Sequence, residues 1–287
     1  GEIEIIQDEF SEALIEKPME MTMDVSYSLR LADQFSMGVS LRYLRSDLKI
    51  QAVDETAEAA SSYAVDISGY YQGEEQSYAG IDGRWRGGFI IQNLGPKIKY
   101  DESGRETFLP TNFKLGGGFD FILDQYNKVS VTAEVTKLLV PTPPLLGTYT
   151  EFNDNNDNGI FDDGDEEVGE SYVDIIDGQD PNVDFLSGVF QSFSDAPGGF
   201  SEELKEFTWA LGAEYLYEDS FALRAGFFNE SDLKGARKFA TLGLGFKYSA
   251  IDIDVSYLFS TTQVRNPLEN TLRFGITFSF GNEYVEY

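Results

Sequence analysis

The chain has 287 residues, no cysteine, no histidine and a net charge of −29. Those absences remove Ser-His-Asp and Cys-His catalysis, disulfides, and most zinc sites. With 50 acidic residues against 21 basic ones, nucleic acid is a poor partner, because phosphates need clustered cations.

No stretch approaches the roughly 18–20 apolar residues of a membrane helix, which leaves open a barrel whose strands are apolar only at alternate positions. Period-two alternation is the dominant signal. From Met21 the odd positions read Met21, Met23, Val25, Tyr27, Leu29 and Leu31, with Thr22, Asp24, Ser26, Ser28, Arg30 and Ala32 between them. A strand puts each set on its own face; a helix would scatter both.

After a turn at residues 33–34 the same beat returns in Phe35, Met37, Val39, Leu41 and Tyr43. Further strands are predicted around 63–71, 81–91, 113–121 and 129–135. A long interruption follows, and then 207–215, 221–227, 242–248, 251–259 and 272–280 complete eleven strands. Most run to about ten residues, against about five or six in a soluble sandwich. Short connections (33–34, 73–76, 124–127, 218–219, 249–250) alternate with longer ones (51–62, 94–110, 138–205, 230–236, 264–269). Transmembrane barrels have this asymmetry, with short periplasmic turns and long extracellular loops.

The predicted fold is therefore all-β, a transmembrane antiparallel β-barrel in the bacterial outer membrane. Residues 1–20 form an extracellular segment, 21–281 the barrel with a long extracellular excursion at 138–205, and 282–287 a periplasmic tail. On this orientation the first and last strands both run inward. Because single-chain bacterial barrels have an even strand number, the parity predicts an odd number of strands upstream, and three would make fourteen. Read instead as a soluble barrel, the same apolar set fills an interior core. The length of the strands and their polar second set favour the membrane.

Two features of the excursion carry chemistry. The run from Asp154 to Asp165 fits the calcium loop D-x-[DN]-x-[DN]-G-x5-E with Asp in place of the final Glu. Its ligands would be Asp154, Asn156, Asn158, Asp162, Asp165 and the carbonyl of Ile160, holding a structural Ca²⁺ weakly. The alternative reading is a solvated acidic loop without metal. The excursion also holds Val183, Phe185, Leu186, Val189, Phe190 and Phe193, which either fold onto the barrel mouth or dock on a partner. A short helix is predicted at 201–206, capped by Ser201. Carboxylates are too abundant for any pair to mark a general acid and base, and no catalytic residue is predicted.

Three segments resemble the PorV family of the type IX secretion system, outer-membrane barrels related to the FadL type. They are LADQFSMGVSLRYLRSDL at 31–48, IQNLGPKIKY at 91–100 and NPLENTLRFGITFSFG at 266–281, within a likeness running from about Met21 to the C-terminus. The resemblance implies a FadL-like barrel of fourteen strands and a non-enzymatic role. Such proteins associate with the large translocon barrel, receive secreted proteins through their C-terminal signal domains, and deliver them to the surface attachment machinery. It makes the extracellular loops, above all Val183 to Phe193, the contact with translocon or cargo. A FadL-like transporter of hydrophobic small molecules is the alternative, with Gly87-Gly88 and Gly116-Gly-Gly118 as candidate weak points for a lateral opening. A third reading is an acidic pore for cations.

Overall fold

The computed structural model describes residues 19–47, 58–100, 106–149, 172–262 and 270–279, together with the pairing of four short strands outside them. In chain order the elements are β1 (Ile3–Ile5), β2 (Leu14–Glu16), β3 (Met19–Ala32), β4 (Phe35–Asp47), β5 (Ala60–Gln72), β6 (Gln76–Tyr78), β7 (Ile81–Leu94), β8 (Asn112–Ile122) and β9 (Asn127–Leu138). There follow β10 (Leu145–Tyr149), β11 (Phe152–Asn153), β12 (Glu166–Glu167), β13 (Tyr172–Asp177), the helices α1 (Phe185–Gln191) and α2 (Phe200–Glu203), and a 3₁₀ turn at Leu204–Glu206. The last strands are β14 (Phe207–Tyr217), β15 (Phe221–Asn229), β16 (Lys238–Tyr248), β17 (Ile251–Ser260) and β18 (Thr271–Phe278).

The chain divides into two compact units, Gly1–Leu138 with Lys205–Tyr287, and Leu139–Leu204. The first is built on a 12-stranded antiparallel sheet in the order β18-β17-β16-β15-β14-β9-β8-β7-β5-β4-β3, with β6 paired to β7 off that path. All eleven strands expected from the alternation are on the path. Neighbours on it are neighbours in sequence, except that β6 is bypassed and that β14 pairs with β9 across the second unit. That pairing runs without a slip from Phe207↔Lys137 to Tyr217↔Asn127.

Two-residue left-handed turns close several hairpins, at Ala79-Gly80 and at Glu218-Asp219 (φ +51° and +50°). Their twist suits the right-handed twist of the flanking strands. The turn expected at 73–76 is more elaborate. The chain makes three residues of strand, β6, before reversing, so β7 pairs first with β6 and then with β5.

The sheet is not observed as a closed barrel. Its end strands β3 and β18 run in the same direction and, among the described residues, are not paired with each other. The fourteen-strand closure expected from the sequence thus stands outside what the sheet displays.

The apolar set of the strands is not packed into a core: Val25 is 76% and Phe274 72% exposed. The small apolar core lies instead against the other, polar face. Ala60 and Ala64 of β5 meet Ile98 and Leu109 from the connection between β7 and β8, with Leu44 and Tyr100 packed around them. That long connection, expected as an open loop, folds back over β4 and β5. Tyr100 Oη donates to Ser46 Oγ at 3.2 Å, and Ile98 bridges Thr107 across the loop. Gly95 makes the approach possible, since a β-carbon there would lie 2.2 Å from the Tyr63 carbonyl oxygen. Asn93, in a left-handed conformation (φ +60°), starts the fold-back, and its backbone N–H donates to Asp66 at 2.7 Å.

Candidate functional site

Three surfaces stand out, and each follows from strand parity or helical period. The first is the apolar face of the sheet. Aromatic pairs gather near the long-connection ends of the strands, as in Tyr43–Tyr63 (ring centroids 5.4 Å apart), Trp209–Phe227 (5.6 Å) and Tyr257–Phe259 (4.6 Å). A second group, Trp85 and Tyr78 on Phe119, with Phe121 beside it, lies toward the short turns. On β4 the step from Phe35 to Tyr43 is eight residues, about 26 Å along the strand at roughly 3.3 Å per residue.

The second surface is the polar face, where charge is compensated in ladders running across strands. Asp24 of β3 is directly opposite Arg42 of β4, and Arg42 Nε donates to it at 2.5 Å. The same guanidinium reaches Asp66 of β5 at 3.2 Å and the Asn93 side-chain oxygen. On β7 and β8, Arg84 (2.9 Å) and Arg86 (2.7 Å) share Asp120, which also accepts from Ser130 Oγ at 2.7 Å. In the third ladder Arg224 of β15 joins Glu214 of β14 (2.6 Å) and also Asp254 of β17. It reaches Asp254 by crossing β16 at Gly245, where a β-carbon would lie 2.9 Å from Arg224 Nη1. Between the ladders is a recess of about 370 Å³ floored by Gly88, Gly116 and Gly118 and rimmed by Tyr70, Arg86, Lys114 and Glu134. The strands pass through these glycines without a break in register, from Asp82↔Ile122 to Gln92↔Asn112.

Beside the strand ends, the connection from β15 to β16 is held by Glu230 and Arg237. Arg237 donates twice to the buried Glu230 carboxylate, from Nε and Nη2, at 2.7 Å each. These bonds keep the carboxyl below its ordinary range and push the guanidinium up.

The third surface belongs to the second unit. Asp184 caps α1, accepting from the backbone N–H groups of Leu186 and Ser187 at 3.1 Å and from Ser187 Oγ at 2.6 Å. The Ser187 hydroxyl, with those N–H groups, holds the Asp184 carboxyl below the usual carboxylate range. The helix turns Gly188 inward while two of its large apolar residues, Leu186 and Phe190, face out. Gly188 and, just past the helix, Ser192 are buried, whereas Leu186, Phe190 and Phe193 are exposed, Phe190 to 74%. Positions 186 and 190 are one turn apart and share a face of α1, and Phe193 follows just past the helix. Val183, Phe185 and Val189 are half-buried.

Of the residues singled out in the sequence, the six apolar ones are thus brought together on and around α1. The helix itself was not anticipated, although Asp184 followed by apolar residues at helical spacing marks its start. The second helix begins one residue earlier than expected, and its cap is Gly199 (φ +65°) with no side-chain bond, not Ser201. A glycine there adopts a backbone conformation that serine would find strained. The calcium-loop residues Asp154, Asn156, Asn158, Ile160, Asp162 and Asp165 lie outside the described residues. The ladder residues escaped sequence reading because opposite charges become partners only once the register is known.

A family model described as Type IX secretion system protein PorV matches residues 1–145, just over half of the chain. The match takes in two of the three resembling segments, 31–48 and 91–100, begins ahead of Met21, and leaves 266–281 outside it. No curated protein matches the chain.

Proposed function

The chain belongs to the PorV family of type IX secretion system proteins, and from that membership we propose that it is a non-enzymatic outer-membrane protein that binds the translocon barrel and receives secreted proteins through their C-terminal signal domains. It then passes them to the surface attachment machinery. The observation that carries the membrane part of this reading is the exposed apolar face of the sheet, with aromatic pairs toward both ends of its strands. In water such a face would be an aggregation surface; in a bilayer it is the ordinary lipid-facing wall.

In this orientation the short turns are periplasmic and the long connections extracellular. The apolar face of α1, with Val183, Phe185, Leu186, Val189, Phe190 and Phe193, is the contact for translocon or cargo. The run from Asp154 to Asp165 holds a structural Ca²⁺ that stiffens the same excursion. The ladders of the polar face pair Arg42, Arg84, Arg86 and Arg224 with carboxylates, which weakens the reading as a cation pore. A FadL-like transporter finds support in the glycine-floored recess, but the unbroken register of β7 with β8 gives no kink for a lateral opening.

The test is a pull-down of the tagged protein in detergent from its native outer membrane. Recovery of one very large barrel, or of secreted proteins sharing a C-terminal domain, supports the proposal. A monomer carrying only fatty acid or other small lipids overturns it in favour of the transporter.

A further inference from the structure

Residues 139–204 contain 16 Asp and Glu and not one Lys or Arg. More than half of the chain's net charge of −29 therefore sits in this one compact unit. The rest of the chain distributes its 21 basic side chains among carboxylates, as the ladders illustrate. A unit that needed charge only for solubility would do as well with mixed signs.

The same unit exposes large apolar side chains. Leu186 and Phe190 stand exposed on one face of α1, Phe193 is exposed just past its end, and Phe200 of α2 is 77% exposed. Burying Gly188 and Ser192 while leaving Phe190 in water forgoes the hydrophobic gain of covering that ring. Exposed aromatic residues of this kind are what fill a partner's pockets. The surrounding charge then says what the partner is. A basic surface is drawn in, whereas an acidic protein, or the anionic headgroups of a membrane, is repelled.

Resting on the cargo-receiving reading above, we propose that the α1 face is a transient docking site for a secreted protein that presents an apolar pocket ringed by Lys and Arg. A passenger suits this surface better than a permanent subunit. Long-range charge accelerates encounter more than it slows release, and a few apolar anchors on one short helix make a contact that is easily broken.

The experiment uses the full chain in detergent micelles and, as probe, a fluorescent protein fused to the C-terminal signal domain of a protein secreted by the same system. Association and dissociation rates are measured at 50 and 500 mM NaCl. Over that range the Debye length contracts from about 14 to about 4 Å, so the association rate is expected to fall at least tenfold while dissociation changes less than threefold. The pair Leu186→Ser and Phe190→Ser is expected to raise the dissociation rate at least tenfold and to leave the far-ultraviolet strand spectrum unchanged. A probe that binds with salt-independent association, or as durably to the double variant, overturns this inference and leaves the cargo-receiving reading standing. A probe that does not bind the unaltered chain overturns both. Equal capture of a generic basic protein such as cytochrome c, or of anionic phospholipid vesicles, also overturns the inference, because charge alone or the membrane would then be the ligand.

Discussion

Replacing Arg42 with Ala removes the only described cation between Asp24 and Asp66. The two carboxylates are unequal: the Asp66 side chain is 8% exposed, that of Asp24 35%. Asp24 can recover water, so its lost pair is worth at most about 1 kcal/mol, as for surface ion pairs. Asp66 keeps the bond from the Asn93 N–H at 2.7 Å but is otherwise left charged and largely dry. Removing one partner of a buried pair costs about 3–5 kcal/mol; because that bond remains, the lower end, about 3 kcal/mol, is expected in total. At roughly 2–4 °C per kcal/mol for a domain of this size, the midpoint of thermal unfolding falls by about 6–12 °C. The assay is heat-modified mobility or circular dichroism in detergent, with Lys247→Ala as an exposed control expected to shift it by less than about 2 °C. Combining Arg42→Met with Asp66→Asn leaves no buried unpaired charge and should recover most of the loss. If Arg42→Ala behaves like the control, or the double replacement is no better than Arg42→Ala, the ladders do not hold the strands together.

Three other outcomes are expected. Gly95→Ala drives a methyl group to 2.2 Å from the Tyr63 carbonyl and 3.1 Å from Leu109 Cδ1, and should cost about 1–3 kcal/mol, read as a lower unfolding midpoint and faster proteolysis of the 95–111 connection. Glu230 has its carboxyl held below its ordinary value of 4.5 by the hydrogen bonds from Arg237. A depressed carboxyl stabilises the fold above its unfolded value and loses that contribution as pH falls through the folded one. The protection of amides in residues 230–237, relative to the neighbouring strands and corrected for the intrinsic pH dependence of exchange, should therefore be unchanged from pH 8 to 5 and fall below about 4.5; a fall already at pH 6 would count against the pair. Calorimetric titration of the chelator-treated chain should show one Ca²⁺ bound with Kd on the order of 10⁻⁴ to 10⁻³ M, weakened at least tenfold by Asp154→Ala. The absence of binding heat, or an Asp154→Ala titration like the parent's, would return that loop to a plain acidic connection.

Strand existence, strand faces and the alternation of short and long connections were all legible in the amino-acid order. In a strand the side-chain direction repeats every two residues, so Met21 to Leu31, or Ile251 to Phe259, declare both the element and its faces without any neighbour. The missing histidine and cysteine bounded the chemistry equally directly. Register was decided elsewhere. Asp24 could have faced any cation of the next strand, and only the pairing Asp24↔Arg42 made the first ladder. No local pattern marked Gly245 of β16 as the place where Arg224 crosses to reach Asp254. The packing of Ile98 and Leu109 onto Ala60 and Ala64, and the burial of Gly188 and Ser192 beside an exposed Phe190, were tertiary choices as well. A local period fixes which residues share a face. What that face meets is a long-range contact, and its free energy depends on residues far away in the chain, which no local pattern encodes.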